Sequence, residues 1–150
     1  MSAALFIYLG MLLWVAFQRR RELCVSEENA ELMLTLGGEE SSPAHYPSLC
    51  RIHRAMLVTA AVEASWRSAA PPLWVVIGSL AALGIAYGLR QASMRALGPR
   101  WTMRIVVMPK LPPVSRGVYR WVRHPDYIGL VLQSAALPMV FGCSVTATGF

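Results

Sequence analysis

Apolar and polar positions alternate in blocks along this chain rather than residue by residue. Four apolar blocks stand out, near residues 3–18, 52–70, 73–89 and 127–148. A membrane crossing takes about 20 residues, with about 17 at the short end. The third block, Leu73–Leu89, carries no charge and reads most clearly as a span, with small residues such as Gly78, Ser79 and Gly84 suited to close helix packing in lipid. The second is interrupted by Glu63 and closes on Arg67, ahead of the tight turn Pro71-Pro72. The last is divided by Pro138 and Gly142, so a bent helix pair and one straight helix are both open. The pattern predicts an all-α, multi-span transmembrane helical protein of about four to five membrane helices, forming one domain over residues 1–150.

The connecting blocks differ in chemistry. Residues 18–51 hold six of the eight acidic residues and the breaker Gly37-Gly38. They read as a polar connection in which Glu22–Leu36 forms a surface helix. Residues 90–124 form a basic segment, in which Arg104–Met108 reads as a short strand or an interfacial stretch and Pro109, Pro112 and Pro113 impose irregular backbone. Thirteen of the fourteen Lys and Arg residues, all but Arg67, fall on one face of this layout. The positive-inside rule makes that face cytosolic. The basic run Arg19–Arg21 follows the first apolar block instead of preceding it, so the block is expected to be retained as a helix rather than cleaved.

Composition agrees with a membrane setting. Apolar residues make up 55% of the chain and charged residues 15%, against about 25% in a soluble domain. The net charge of +6 then reflects orientation in a bilayer, and no nucleic-acid partner or obligatory protein partner is expected. Cys24, Cys50 and Cys143 are far apart and show no metal-ligand spacing, so no metal is expected.

Chemistry concentrates where the basic segment enters the last apolar block. Pro125 suits the first turn of a helix, which puts His124 at the helix start, where free N–H groups favour an anionic ligand group. Arg123 adds a fixed charge, and Tyr119 and Tyr127 offer aromatic faces with hydroxyl tips. Asp126 is favoured at that position by the helix dipole and reads mainly as structural. An interfacial belt of Arg, Trp and Tyr would have a similar composition, and Trp101 reads as such an anchor. Glu63, a carboxylate inside a span, is either functional, as a general base, or a structural partner. His45 and His53 flank Tyr46-Pro47 at the entry to the second span; interfacial solvation accounts for them, and lining a substrate mouth is the alternative.

The order of residues adds a resemblance. Gly117-x-Tyr119, then Arg123-His124-Pro125-x-Tyr127-x-Gly129, with Leu97-Gly98-x-x-Trp101 and Leu111-Pro112-Pro113-Val114 upstream, resembles the signature of the isoprenylcysteine carboxyl methyltransferase family and its bacterial members. It covers residues 90–138. Membrane sterol reductases carry a similar Arg-His-Pro-x-Tyr. The resemblance implies a cytosolic segment that binds S-adenosylmethionine through Tyr119, His124, Pro125, Asp126 and Tyr127, and partly through the backbone of Leu111, Pro112, Pro113 and Val114. It implies methyl transfer to a lipid-like carboxylate or hydroxyl acceptor (prenylcysteine-like, alkylpyrone or phenolic lipid), with Arg123 and His124 fixing the cofactor and Glu63 as the candidate base. In the family a further helix supplies an Arg and a Glu; the sequence reaches Phe150 before either, so a member without that helix is expected. The implied location is the bacterial inner membrane. An NADPH-dependent membrane reductase and a non-catalytic membrane protein are the alternatives. If the layout is right, a membrane-impermeant maleimide labels Cys24 from the cytosolic side of sealed vesicles; labelling only from the opposite side overturns the topology.

Overall fold

The computed structural model describes residues 3–43, 45–67, 69–109 and 111–149. Five helices account for most of it: α1 (Ala3–Thr35), α2 (His45–Trp66), α3 (Leu73–Leu97), α4 (Pro125–Met139) and the short α5 (Ser144–Gly149). A two-stranded antiparallel sheet pairs β1 (Glu39–Glu40) with β2 (Val106–Val107), Glu39 opposite Val107. The strand expected near Arg104–Met108 is therefore present, and it is the small exception to an all-helical fold. The last apolar block is a helix pair, broken at 140–143 around Gly142, which has φ +77°.

The largest departure from expectation is α1. It does not end near residue 18 but runs 33 residues, about 50 Å at 1.5 Å per residue. One buried stripe explains its continuity. Leu5, Tyr8, Leu12, Val15, Arg19, Glu22, Ser26, Ala30 and Met33 are all buried, at steps of three and four that keep one face inward. The stripe is apolar from Leu5 to Val15, polar at Arg19, Glu22 and Ser26, and apolar again at Ala30 and Met33. The segment read as a connection is thus a buried-face helix whose inward residues happen to be Arg, Glu and Ser. No Gly or Pro interrupts it between Gly10 and Gly37, so the backbone has no reason to stop.

Around the first half of that stripe lies the apolar core: Leu5, Tyr8, Leu12 and Val15 pack with Met56, Ala60 and Ala64 of α2 and with Leu137 and Cys143. Tyr8 donates from its hydroxyl to the Leu137 carbonyl at 3.3 Å and stacks on Phe141 at 5.0 Å. Among the described residues one helix, Leu73–Arg100, is long and apolar enough to cross a membrane. Only 17% of its apolar window is buried inside the protein, so it is not the core helix of a soluble domain. The outward apolar side chains (Trp14, Val58, Trp74 and Val131 among them) continue onto the other helices.

Helices α3 and α4 form the most extensive contact in the molecule, and Gly129 permits it. A Cβ there would lie 2.7 Å from Arg90 Cγ and 2.9 Å from the Ala86 carbonyl oxygen. The second neighbour is backbone and cannot step aside. Gly129→Ala is expected to destabilise the protein by about 1–3 kcal/mol, as overpacking does. Gly88→Ala, on the open side of α3 where a Cβ meets nothing within 4 Å, serves as the control. Thermal unfolding in detergent measures both, and equal stabilities would refute the close approach.

Candidate functional site

Helix α4 starts as its sequence suggests. His124 is the N-cap residue, with φ −133° and ψ 61°, and Pro125 takes the first helical position. The His124 carbonyl accepts the Ile128 amide at 3.2 Å. Its side chain makes no capping hydrogen bond, so the N–H groups of the first turn keep their capacity for an anion. The imidazole meets the Tyr127 ring edge-on, with centroids 6.0 Å apart.

Opposite this helix start lies a cleft of about 160 Å³. Its walls include Tyr119, Arg123, His124, Asp126 and Tyr127 on one side and Arg19, with residues 101–105, on the other. The 101–105 wall is held by the polar half of α1. Asn29 donates to the Trp101 carbonyl at 2.7 Å. Ser26 Oγ accepts the Met103 amide at 2.8 Å and shares a hydrogen bond with Thr102 Oγ1 at 3.2 Å. Arg104 grips Glu40 with both prongs of its guanidinium, Nε donating to Oε1 at 2.9 Å and Nη2 to Oε2. That hydrogen bonding holds the Glu40 carboxyl below the usual carboxylate range. The Tyr119 wall docks on the end of α3: Arg116 Nε donates to the Ala96 carbonyl at 3.0 Å, and Gly117, at φ +61°, leaves room for the Ala96 methyl. Burial pushes the Tyr119 hydroxyl upward in pKa, so it stays protonated at neutral pH.

Beneath the cleft sits a buried ionic group. Arg90 Nη2 lies 2.6 Å from Glu22 Oε2, and Arg19 Nη1 lies 3.4 Å from the same oxygen. Three buried atoms here have no hydrogen-bond partner: Arg19 Nε, Arg90 Nη1 and Asp126 Oδ1. Buried polar atoms are normally paired, so an unpaired carboxylate oxygen in the residue that lines the cleft marks a place for a donor.

Residues 79–150 match the Isoprenylcysteine carboxyl methyltransferase (ICMT) family. That segment belongs to the family. It contains the whole signature read from Gly117 to Gly129. The chain is also 26% identical over 129 residues to "Uncharacterized protein YpbQ" of Bacillus subtilis (strain 168), covering 86% of this chain and 76% of that protein. No solved structure matches the chain. The α1 wall and Leu49 lie ahead of the ICMT-matching segment, so the cleft is completed by residues outside it.

Sequence reasoning located one wall and missed the other. Tyr119, Arg123, His124, Asp126 and Tyr127 come together. Pro125 does not line the cleft; it is fully buried behind it and sets the helix start. Leu111, Pro112 and Pro113 are exposed, Val114 is half-buried, and none of the four lines the cleft. Arg100 holds this stretch from outside by donating to the Pro112 carbonyl at 2.9 Å. Trp101, expected at the membrane surface, is 2% exposed and faces the cleft. The signal for the missed wall was the three- and four-residue spacing of Arg19, Glu22 and Ser26 in phase with Val15.

Glu63 is not brought to the cleft. Its carboxylate accepts the Val145 amide at 3.2 Å, the Thr146 amide at 2.8 Å and the Thr146 hydroxyl at 2.7 Å. It caps α5 at the end of the molecule that holds Arg67, ten residues and about 15 Å along α2 from His53. Of the two readings of Glu63, this geometry is that of the structural partner. Glu63→Ala should cost about 1 kcal/mol of stability, as loss of a cap does, and should speed amide exchange at Val145 and Thr146 without altering ligand binding at the cleft; altered binding would return Glu63 to the site.

Proposed function

We propose that this chain is a membrane-embedded methyltransferase that moves a methyl group from S-adenosylmethionine to an oxygen of a lipid-bearing carboxylate or hydroxyl. Family membership supports a membrane methyltransferase in general. The observation that carries the finer reading is the convergence of Arg123, His124, Tyr119, Tyr127 and the unpaired Asp126 Oδ1 on one cleft at a helix N-terminus.

The donor set fits the cofactor. Its carboxylate suits Arg123 and the first turn of α4. Its ammonium suits Asp126 Oδ1, which otherwise stays buried without a partner. The aromatic faces of Tyr119 and Tyr127 tolerate the sulfonium that adjoins this amino-acid end. The cleft is below the about 300–1,000 Å³ of a pocket that encloses a small molecule, so it takes the amino-acid end of the ligand. Leu111–Val114 make no contact in this arrangement. When bound, S-adenosylmethionine supplies a methyl group on a cationic sulfur; in-line transfer forms an O–CH3 bond, breaks the C–S bond and leaves a neutral thioether. The residues supply orientation and a dry site. His124 and Arg123 fix the tail, Asp126 fixes the ammonium, and Tyr119 closes the wall without losing its proton.

In this reading α1, α2 and α3 cross the bilayer, and α4 with α5 makes the fourth crossing. The outward apolar side chains face lipid, the arginine-rich end with the cleft faces the cytosol, and the location is an inner membrane of bacterial type. Saturable binding of S-adenosylmethionine to purified protein in detergent is the test. His124→Ala should weaken it at least tenfold (about 1.4 kcal/mol) while membrane insertion persists. Unchanged binding would remove His124 from the site, and binding of NADPH in place of S-adenosylmethionine would replace methyl transfer with reduction.

A further inference from the structure

A second cavity opens between α1 and α2, and the cleft chemistry above does not use it. It measures about 320 Å³, within the range of small-molecule pockets. Arg19, Arg20 and Arg54 line it, with His53 and Cys50, and no carboxylate does. The rest of its wall is apolar, with Leu57 among it. Two of the polar side chains are buried and lack a partner at one atom: Arg19, 8% exposed, at Nε, and His53, 6% exposed, at Nε2. Leaving such groups unpaired is costly, more so for a charged one.

The charge balance of Arg19 points the same way. Glu22 is shared by two arginines, and Arg90 holds it at 2.6 Å against 3.4 Å for Arg19. One carboxylate therefore serves two guanidinium groups. The other acid near Arg19 is Asp126, which lines the cofactor cleft. Arg19 lines both cavities, and with Arg20 and Arg54 it makes the lining of the α1–α2 cavity positive. An anion beside Arg19 in the α1–α2 cavity thus sits against the wall of the cleft where the methyl group would be presented.

We propose that the α1–α2 cavity is the acceptor site, and that it takes a single-chain amphiphile bearing an oxyanion, either a carboxylate or an acidic enol or phenol. Arg19 Nε donates to the oxyanion, and His53 donates from Nε2 in the tautomer that carries its proton there. The tail leaves between α1 and α2, past Leu57, toward lipid. This rests on the methyltransferase reading, and it names residues that lie outside the family-matching segment.

The test uses the full chain in nonionic detergent, with decanoate as probe and the rate of maleimide labelling at Cys50 as readout. Cys50 lines the cavity, whereas the exposed Cys24 does not and serves as the internal control. Decanoate is expected to slow Cys50 labelling at least fivefold, and to do so at concentrations at least tenfold below those needed by decanol or decyltrimethylammonium. His53→Leu should lose this discrimination tenfold while still binding S-adenosylmethionine. Should that variant fail to fold, the comparison of the three probes on the unaltered protein decides alone. No protection by decanoate, equal protection by decanol, or equal protection by phosphatidylglycerol, which would make this a bulk-lipid site, overturns the proposal while S-adenosylmethionine binding leaves the methyltransferase reading intact. Protection without any S-adenosylmethionine binding sinks that reading and, with it, the assignment of the cavity as an acceptor site.

Discussion

Glu22 and Arg90 meet 2.6 Å apart in the interior, 68 residues apart in sequence, and the arrangement of three helices is built around that pair. Burying two charges costs several kcal/mol per ion before their attraction is counted, and removing one partner of such a pair typically costs about 3–5 kcal/mol. The pair must therefore be enclosed on all sides. α1 carries Glu22 inward by extending its buried stripe past Val15. α3 carries Arg90 inward, where it is 2% exposed. α4 closes over the arginine stem only because residue 129 has no side chain. Its net stabilising value is modest, but it selects one register for α1 against α3.

Once that register is set, the cleft follows. The polar half of α1 is placed where Ser26 and Asn29 reach the backbone of residues 101–103. The end of α3 is placed where Ala96 receives Arg116 and Gly117. The start of α4 is placed where His124 and Asp126 look across at both. The 101–105 wall and the Tyr119 wall are each held by hydrogen bonds to backbone atoms, which fix position more closely than packing of apolar side chains does. Arg19 stands at the junction, on the wall of the cleft and on the wall of the α1–α2 cavity.

Division of labour between the two halves of the chain is visible in this geometry. The family-matching segment supplies the signature wall, with its helix N-terminus and its aromatic residues. The preceding helices supply Glu22 to the ionic group, the side chains of Ser26 and Asn29 that hold the 101–105 wall, and the second cavity.

Local features were legible in the sequence for reasons that are themselves local. Pro125 as first helical residue, His124 as its neighbour at the helix start, the charge-free run of α3, the break after Pro138 and the short strand at Val106 each depend on a few adjacent residues. The signature from Gly117 to Gly129 is equally local, and it located one wall of the cleft. The polar half of α1 read as a surface because its charges are what a solvated helix shows, and nothing nearby reveals that Arg19 and Glu22 face inward. Their partner is Arg90, and only the folded chain brings it there. Glu63 was ambiguous for the same reason, since its role depends on the amides of Val145 and Thr146, 82 and 83 residues away. By itself, then, the sequence determined most of the helices, their apolar faces and one wall of the cleft. The tertiary structure decided which charges are interior, which carboxylate is a cap and which helix completes the site, because a buried charge is defined by partners that chain proximity does not specify.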